Sequence, residues 1–126
     1  MLTDDVLRAI EELRASFPGH AVAVEEDAQG GAHVTVDDLE FGARLTPQRG
    51  WVGFHLGFQY PAADVYPLYV PTLARADGSA LAGPFRAVTW RARASTQISR
   101  RSNNRRDEVD TATTKLAKVV EWLRSL

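Results

Sequence analysis

The stretch that most constrains this chain is residues 51–58, WVGFHLGF. Val52, Phe54, Leu56 and Phe58 alternate strictly with Trp51, Gly53, His55 and Gly57. A period of two marks a strand with one apolar face and one mixed face. That parity makes Phe58 a core residue with Val52, Phe54 and Leu56. The two glycines on the other parity leave room for something to lie against that face. A strand of this kind needs neighbours to pair with and a second layer to cover its apolar side.

The rest of the sequence offers both. Residues 20–26, HAVAVEE, put Val22 and Val24 on one face, and residues 32–37, AHVTVD, do the same with Val34 and Val36. Gln29-Gly30-Gly31 between them is a turn signal. A fourth strand is expected around Leu68–Leu73. Before the strands comes an amphipathic helix. Thr3 is its N-cap, Asp4 and Asp5 occupy the first turn, and Leu2, Val6, Ile10, Leu13 and Phe17 form its apolar stripe. Pro18-Gly19 ends it. A second helix closes the chain, with Asp107 or Asp110 as its cap and Ala112, Leu116, Val119, Val120 and Leu123 as its stripe. Residues 74–84 have no periodicity and read as a loop. Residues 85–106 read as an irregular, arginine-rich stretch, with Ser99–Arg106 an exposed loop. The fold class expected is α+β: an N-terminal helix, an antiparallel meander of about four strands, a Pro-rich turn and a C-terminal helix. At 126 residues and 13.9 kDa, there is length for one domain, spanning 1–126, and one core.

Composition narrows the chemistry. The chain has no cysteine, which excludes disulfides, zinc–thiolate sites, iron–sulfur clusters and a cysteine nucleophile. Its three histidines offer little for a metal. His33 and His55 share the polar parity of their strands and could meet across the sheet, with Asp37 or Asp38 as a third ligand. No ligand spacing supports that set, and a polar outer face is the plainer reading. Ser79 does not sit in a nucleophile elbow, and Ser95 and Thr96 have no histidine after them in the chain to act as base. Neither a catalytic residue, a metal nor a cofactor is therefore expected. The acidic, amphipathic N-terminus lacks the pattern of a secretory signal, and no apolar run approaches a bilayer span, so the expectation is a cytoplasmic protein without a membrane partner.

Charge is unevenly spread. Residues 1–85 carry five Arg against twelve acids, and residues 86–126 carry eight Arg and two Lys against four acids. Arg86, Arg91, Arg93, Arg100, Arg101, Arg105 and Arg106 crowd into 21 residues. Such a cluster either pairs with the acidic part of the same chain or meets an acidic partner. A nucleic-acid interface would want stacking aromatics among the arginines, and only Phe85 and Trp90 are there. With a pI of about 6.3, a protein with an acidic surface suits the pattern better.

Tyr66-Pro67-Leu68-Tyr69-Val70-Pro71 follows directly after the strongest strand. This resembles the Tyr-Pro-x-x-x-Pro motif of the ubiquitin-conjugating-enzyme (UBC) fold and its inactive relative, the RWD domain. In that superfamily the motif turns the chain into the fourth strand, and Tyr66, Pro67 and Pro71 would be its structural residues. Tyr66 is then expected to pack as a buried aromatic. Gln97-Ile98-Ser99-Arg100-Arg101, followed by Asp110 and a helix ending Glu121-Trp122-Leu123, is similar to the C-terminal segment of bacterial ubiquitin-conjugating-enzyme-like proteins. The departures are plain. The thioester cysteine, whose region would lie between Phe85 and Gln97, is missing. The family's His-Pro-Asn tripeptide is also missing, since Asn103-Asn104 stands in another context. Four residues separate Pro61 from Tyr66 where the eukaryotic pattern usually has two.

The resemblance therefore implies the scaffold and not the activity. The function expected is a non-catalytic UBC-like module that binds a protein of a bacterial ubiquitin-like pathway, either the ubiquitin-like protein or its activating enzyme. Its binding surface would comprise Arg91, Arg93, Arg100, Arg101, Arg105 and Arg106 with Trp51 and His55. The alternatives are a conjugating-type enzyme whose cysteine has been replaced, Ser95 and its neighbours being the positions to compare, or a nucleic-acid-binding module.

Overall fold

The computed structural model describes residues 1–102, 105–106 and 109–126. Helix α1 spans Asp4–Ser16 and helix α2 spans Ala112–Arg124. Between them run β1 (Val22–Glu26), β2 (Ala32–Glu40), β3 (Leu45–Thr46), β4 (Arg49–Leu56), β5 (Leu68–Pro71), β6 (Ala74–Arg75), β7 (Phe85–Trp90) and β8 (Arg93–Ile98). The fold is α+β, with an antiparallel sheet between a first and a last helix.

The main sheet has six strands in the order β1-β2-β4-β5-β8-β7, and β3 and β6 pair apart from it. The expected meander is the β1-β2-β4-β5 part. The sheet is wider than expected because residues 85–98, read from sequence as irregular, form the β7–β8 hairpin. Its turn residues are Arg91 and Ala92, with φ of 49° and 65°. A two-residue turn with both φ positive matches the strand twist, and Asn-Gly is its usual sequence. Arg-Ala gives no such signal, so the hairpin was hidden. The loop expected over 74–84 likewise loses Ala74–Arg75 to β6.

Both helices supply the cover that the strands demand. Val6, Ala9, Ile10 and Leu13 of α1 and Ala112, Leu116, Val119, Val120 and Leu123 of α2 join one cluster with Val34, Val36, Val52, Phe54, Leu56, Leu68, Val70 and Ile98. Thr3 caps α1 by accepting from the Val6 N–H at 3.2 Å. The cap of α2 differs from expectation. Thr111 accepts from the Thr114 N–H at 3.3 Å and fills the N-cap position. Asp110 instead accepts from the Arg106 N–H, and Asp107 lies outside the described residues. The Tyr60 hydroxyl takes the Ala112 N–H at 3.0 Å, another of the amides that a helix start leaves unpaired. Thr111 also donates to Glu12 at 3.0 Å, tying the two helices.

Two aromatics sit differently from expectation. Phe58 is 59% exposed, because β4 ends at Leu56 and the parity rule ends with it. Tyr66 is half-buried, and Tyr60 is the deeply buried tyrosine of this region, at 7%. The peptide bonds before Pro47, Pro61 and Pro67 are cis. Among the described residues no helix is long and apolar enough to cross a membrane.

Candidate binding surface

Strand parity that sends Val34, Val52 and Phe54 to the helices sends His33, Trp51, Gly53, His55 and Tyr69 to the opposite, outer face. Sheet register adds Trp90 and Arg93 from the hairpin, since these two residues pair and flank its turn. In a flat sheet, edge strands β1 and β7 would be roughly 24 Å apart at the usual strand spacing. Yet Arg91 forms an ion pair with Glu25 of β1. The hairpin must therefore bend over the outer face rather than extend it.

Trp90 is what this bend delivers. Its ring stacks on Tyr69 at 4.7 Å and 10°, stacks on Trp51 at 5.9 Å, and meets His33 edge-on at 6.4 Å. It occupies the space above Gly53, where an added Cβ would lie 2.3 Å from Cζ3 and 2.4 Å from Cη2 of the indole. The room left by this glycine is thus filled by the chain's own hairpin. Trp90 ends 9% exposed. Arg93 lies over the Trp51 ring at 4.3 Å, and Arg91 stands 6.0 Å from the Trp90 ring.

The histidines meet as parity suggests, with ring centroids 4.7 Å apart. Their carboxylate is Asp27, not Asp37 or Asp38. Asp38 is bound to Arg49 at 2.9 Å, and the backbone carbonyl of Asp37 is bonded by His20. His55 donates through Nε2 to Asp27 Oδ2 at 2.7 Å. Asp27 Oδ1 also accepts the N–H groups of Gln29 at 2.7 Å and Gly31 at 3.0 Å, so one side chain both closes the β1–β2 turn and orients His55. A Cβ at Gly31 would lie 2.3 Å from the Leu56 carbonyl oxygen, so the turn needs glycine there. The His55 and Gln29 bonds hold the Asp27 carboxyl down at about 2. Burial, then the charge of Arg91, holds His33 below its ordinary value, and its buried Nδ1 has no hydrogen-bond partner among the described residues.

A cleft of about 290 Å³ opens beside this pair, lined by residues including Asp27, His55, Phe58, Gln59 and Tyr66. Among the described residues no Ser or Thr side chain lines it. Ser95 and Thr96 are buried in β8. The Ser95 hydroxyl donates to the Arg93 carbonyl, and the Thr96 hydroxyl accepts the Leu73 N–H. Among the described residues no three His, Asp or Glu side chains converge as a metal site.

The remaining arginines gather elsewhere, between the Tyr-Pro segment and α2. Arg100 lies over Trp122 at 4.6 Å and Arg101 over Tyr66 at 3.9 Å. Arg105 is tucked in rather than exposed. Its side chain is 12% accessible, lies 3.6 Å from Asp64, and donates to the carbonyls of Ala62 and Pro61. Arg106 is exposed, and Asn103 and Asn104 lie outside the described residues. Lys115 is the residue that sequence reading missed. Its Nζ donates to the Arg100 carbonyl at 2.7 Å, the Ser102 hydroxyl at 3.0 Å and Asp64 at 3.3 Å. Burial lowers the Lys115 pKa against the pull of Asp64. Burial pushes Asp64 up, but the bonds from Ser102 and Lys115 outweigh it and leave the carboxyl below its ordinary value. The missed signal was spacing, because position 115 falls between Ala112 and Val119 on the apolar stripe of α2.

The sequence-predicted surface thus divides in two. Trp51, His55, Arg91 and Arg93 share the outer face; Arg100, Arg101 and Arg105 do not join it. Comparison with protein-family models, with curated proteins and with solved structures gave no match.

Proposed function

We propose that this chain is a non-catalytic, UBC/RWD-like module that binds an acidic protein partner through the outer sheet face. The observation that carries the reading is Arg93 lying over Trp51 beside the Arg91 turn, on the sheet face opposite the helix-packed core. Tryptophan and arginine are the side chains that most often dominate binding energy at protein interfaces. The scaffold reading is supported by the first helix, the neighbouring antiparallel strands β1, β2, β4 and β5, and the last helix, with Tyr66-Pro67 leading into β5; the β7–β8 hairpin and the β3–β6 pair are additions to that pattern.

The catalytic alternative has less support. With no cysteine anywhere in the chain, the buried and bonded Ser95 is a poor place for an accessible thiol to have been. A nucleic-acid interface would need open aromatic faces, and Trp90 is stacked between its neighbours.

The test uses a bacterial ubiquitin-like protein and its activating enzyme as the candidate partners. Each is immobilised and its association with the wild type, Trp51→Ala and Arg91→Gln/Arg93→Gln is measured at low and high salt. The double arginine variant should associate more slowly and lose salt dependence, and Trp51→Ala should weaken binding about tenfold or more. A partner bound equally by all three proteins, or a reductant-sensitive adduct with activating enzyme and ATP, refutes the reading.

A further inference from the structure

We propose that the recess between the arginine segment and α2 binds a phosphate group. This goes beyond the partner surface above and uses none of its residues. The recess has a volume of about 160 Å³ and is lined by Arg100, Arg101, Ser102, Lys115, Lys118 and Val119. Four of these six side chains are cationic and none is acidic.

The cations have different tasks. Lys115 is a fixed charge in the wall, because its three protons are already given to Asp64, Ser102 and the Arg100 carbonyl. Those bonds set the backbone at Arg100 and Ser102 and so place the arginines. Arg100 and Arg101 are the ligand-facing groups. Each guanidinium is held by an aromatic face, Trp122 and Tyr66 respectively. Among the described residues no hydrogen bond or ion pair engages either guanidinium. Lys118, 3.3 Å from Asp110, stands at the same recess.

Planar arginine forks match the oxygens of an oxyanion two at a time. Two forks and an ammonium offer more donors than the two oxygens of a carboxylate can use, and the three oxygens of a phosphate monoester suit them better. Stacking beforehand reduces the ordering cost of binding. The volume is below that of usual small-molecule pockets, so the site fits one phosphate group, either free or at the end of a larger molecule.

The full chain, labelled with ¹⁵N, is titrated with inorganic phosphate and separately with a phosphoserine peptide. Sodium chloride and sodium acetate at matched ionic strength are the comparators. Saturable shifts of the Trp122 indole N–H and of the Arg100 and Arg101 Nε–H signals are expected with one or both phosphate probes. Tighter binding of one probe tells free phosphate from a phosphorylated chain. Arg100→Gln and Arg101→Gln should each weaken binding about tenfold, the scale of one charge-assisted hydrogen bond. Arg100→Lys and Arg101→Lys keep the charge but lose the fork, and should also weaken it. Arg86→Gln, an exposed arginine on β7, should leave it unchanged. Equal shifts with chloride or acetate, absence of saturation, or equal loss in Arg86→Gln overturns the proposal.

Discussion

The two faces of the same strands are covered in opposite ways. The inner face of β2 and β4 presents Val34, Val36, Val52, Phe54 and Leu56, and two helices seal it. The outer face presents His33, Trp51, Gly53, His55 and, from β5, Tyr69, and a hairpin from the far end of the sheet bends over it. The inner cover is non-directional and holds by apolar area alone. The outer cover is one indole over one glycine, held by stacked rings and by an arginine that reaches the opposite edge strand. A face closed in this way can be opened by a few substitutions, whereas the helix-covered face cannot.

The largest effect should come from the inner face. Phe54 is fully buried, and Phe54→Ala should cost about 4 kcal/mol in urea unfolding. Trp90→Ala tests the outer cover and should cost about 3 kcal/mol, toward the lower end for aromatic truncation because water can enter the vacated site. A loss below about 1 kcal/mol would mean that the hairpin end does not belong to the cooperative fold. Gly53→Ala should cost about 1–3 kcal/mol by displacing Trp90, with a red shift in tryptophan emission. An unchanged emission spectrum would show that the indole does not lie over Gly53. Ala92→Gly should act in the other direction, raising stability by about 0.5–1 kcal/mol, since φ of 65° suits glycine.

The finest distinction is in acid. Asp27 is held at about 2 against an ordinary 3.8, chiefly by the bond from His55. A depressed folded-state value contributes stability above the unfolded value that disappears as pH falls through the folded one. The window for Asp27 therefore runs from about pH 4 down to about pH 2. His33 is held below 6.5 by burial, so the unfolded chain takes up that proton first and stability again falls as pH drops. The outer face should loosen in acid while the aliphatic inner positions have nothing to titrate. Asp27→Asn should flatten the decline of Tm over the lower window. A decline identical to the wild type would separate the Asp27–His55 bond from stability.

Much of the fold was legible in the residues themselves. Period two at 51–56, the valine pairs of β1 and β2, and the stripes and Thr3 cap of the helices all record local geometry, and each predicted its element. The Arg91–Ala92 turn was not legible, because the fold imposes positive φ on residues that do not favour it. Phe58 misled because parity says where a side chain points only while the strand lasts. Lys115 sat in plain view on an apolar stripe. That it is buried against Asp64 follows only from where the 100–102 segment crosses α2.

The candidate site shows the same division. From sequence alone, Gly53 reserved space on the outer face, and His33 and His55 shared a parity; Gly57 lies past the end of β4. Local pattern can record such facts because they need only the two-residue repeat of a strand. The occupant of the space over Gly53, the choice of Asp27 over Asp37 and Asp38, and the division of the arginines into two groups all depended on contacts between residues 21 to 66 positions apart in the chain. These depend on how far a hairpin bends and which backbone it crosses, a global balance of packing and ion pairing that no local spacing encodes.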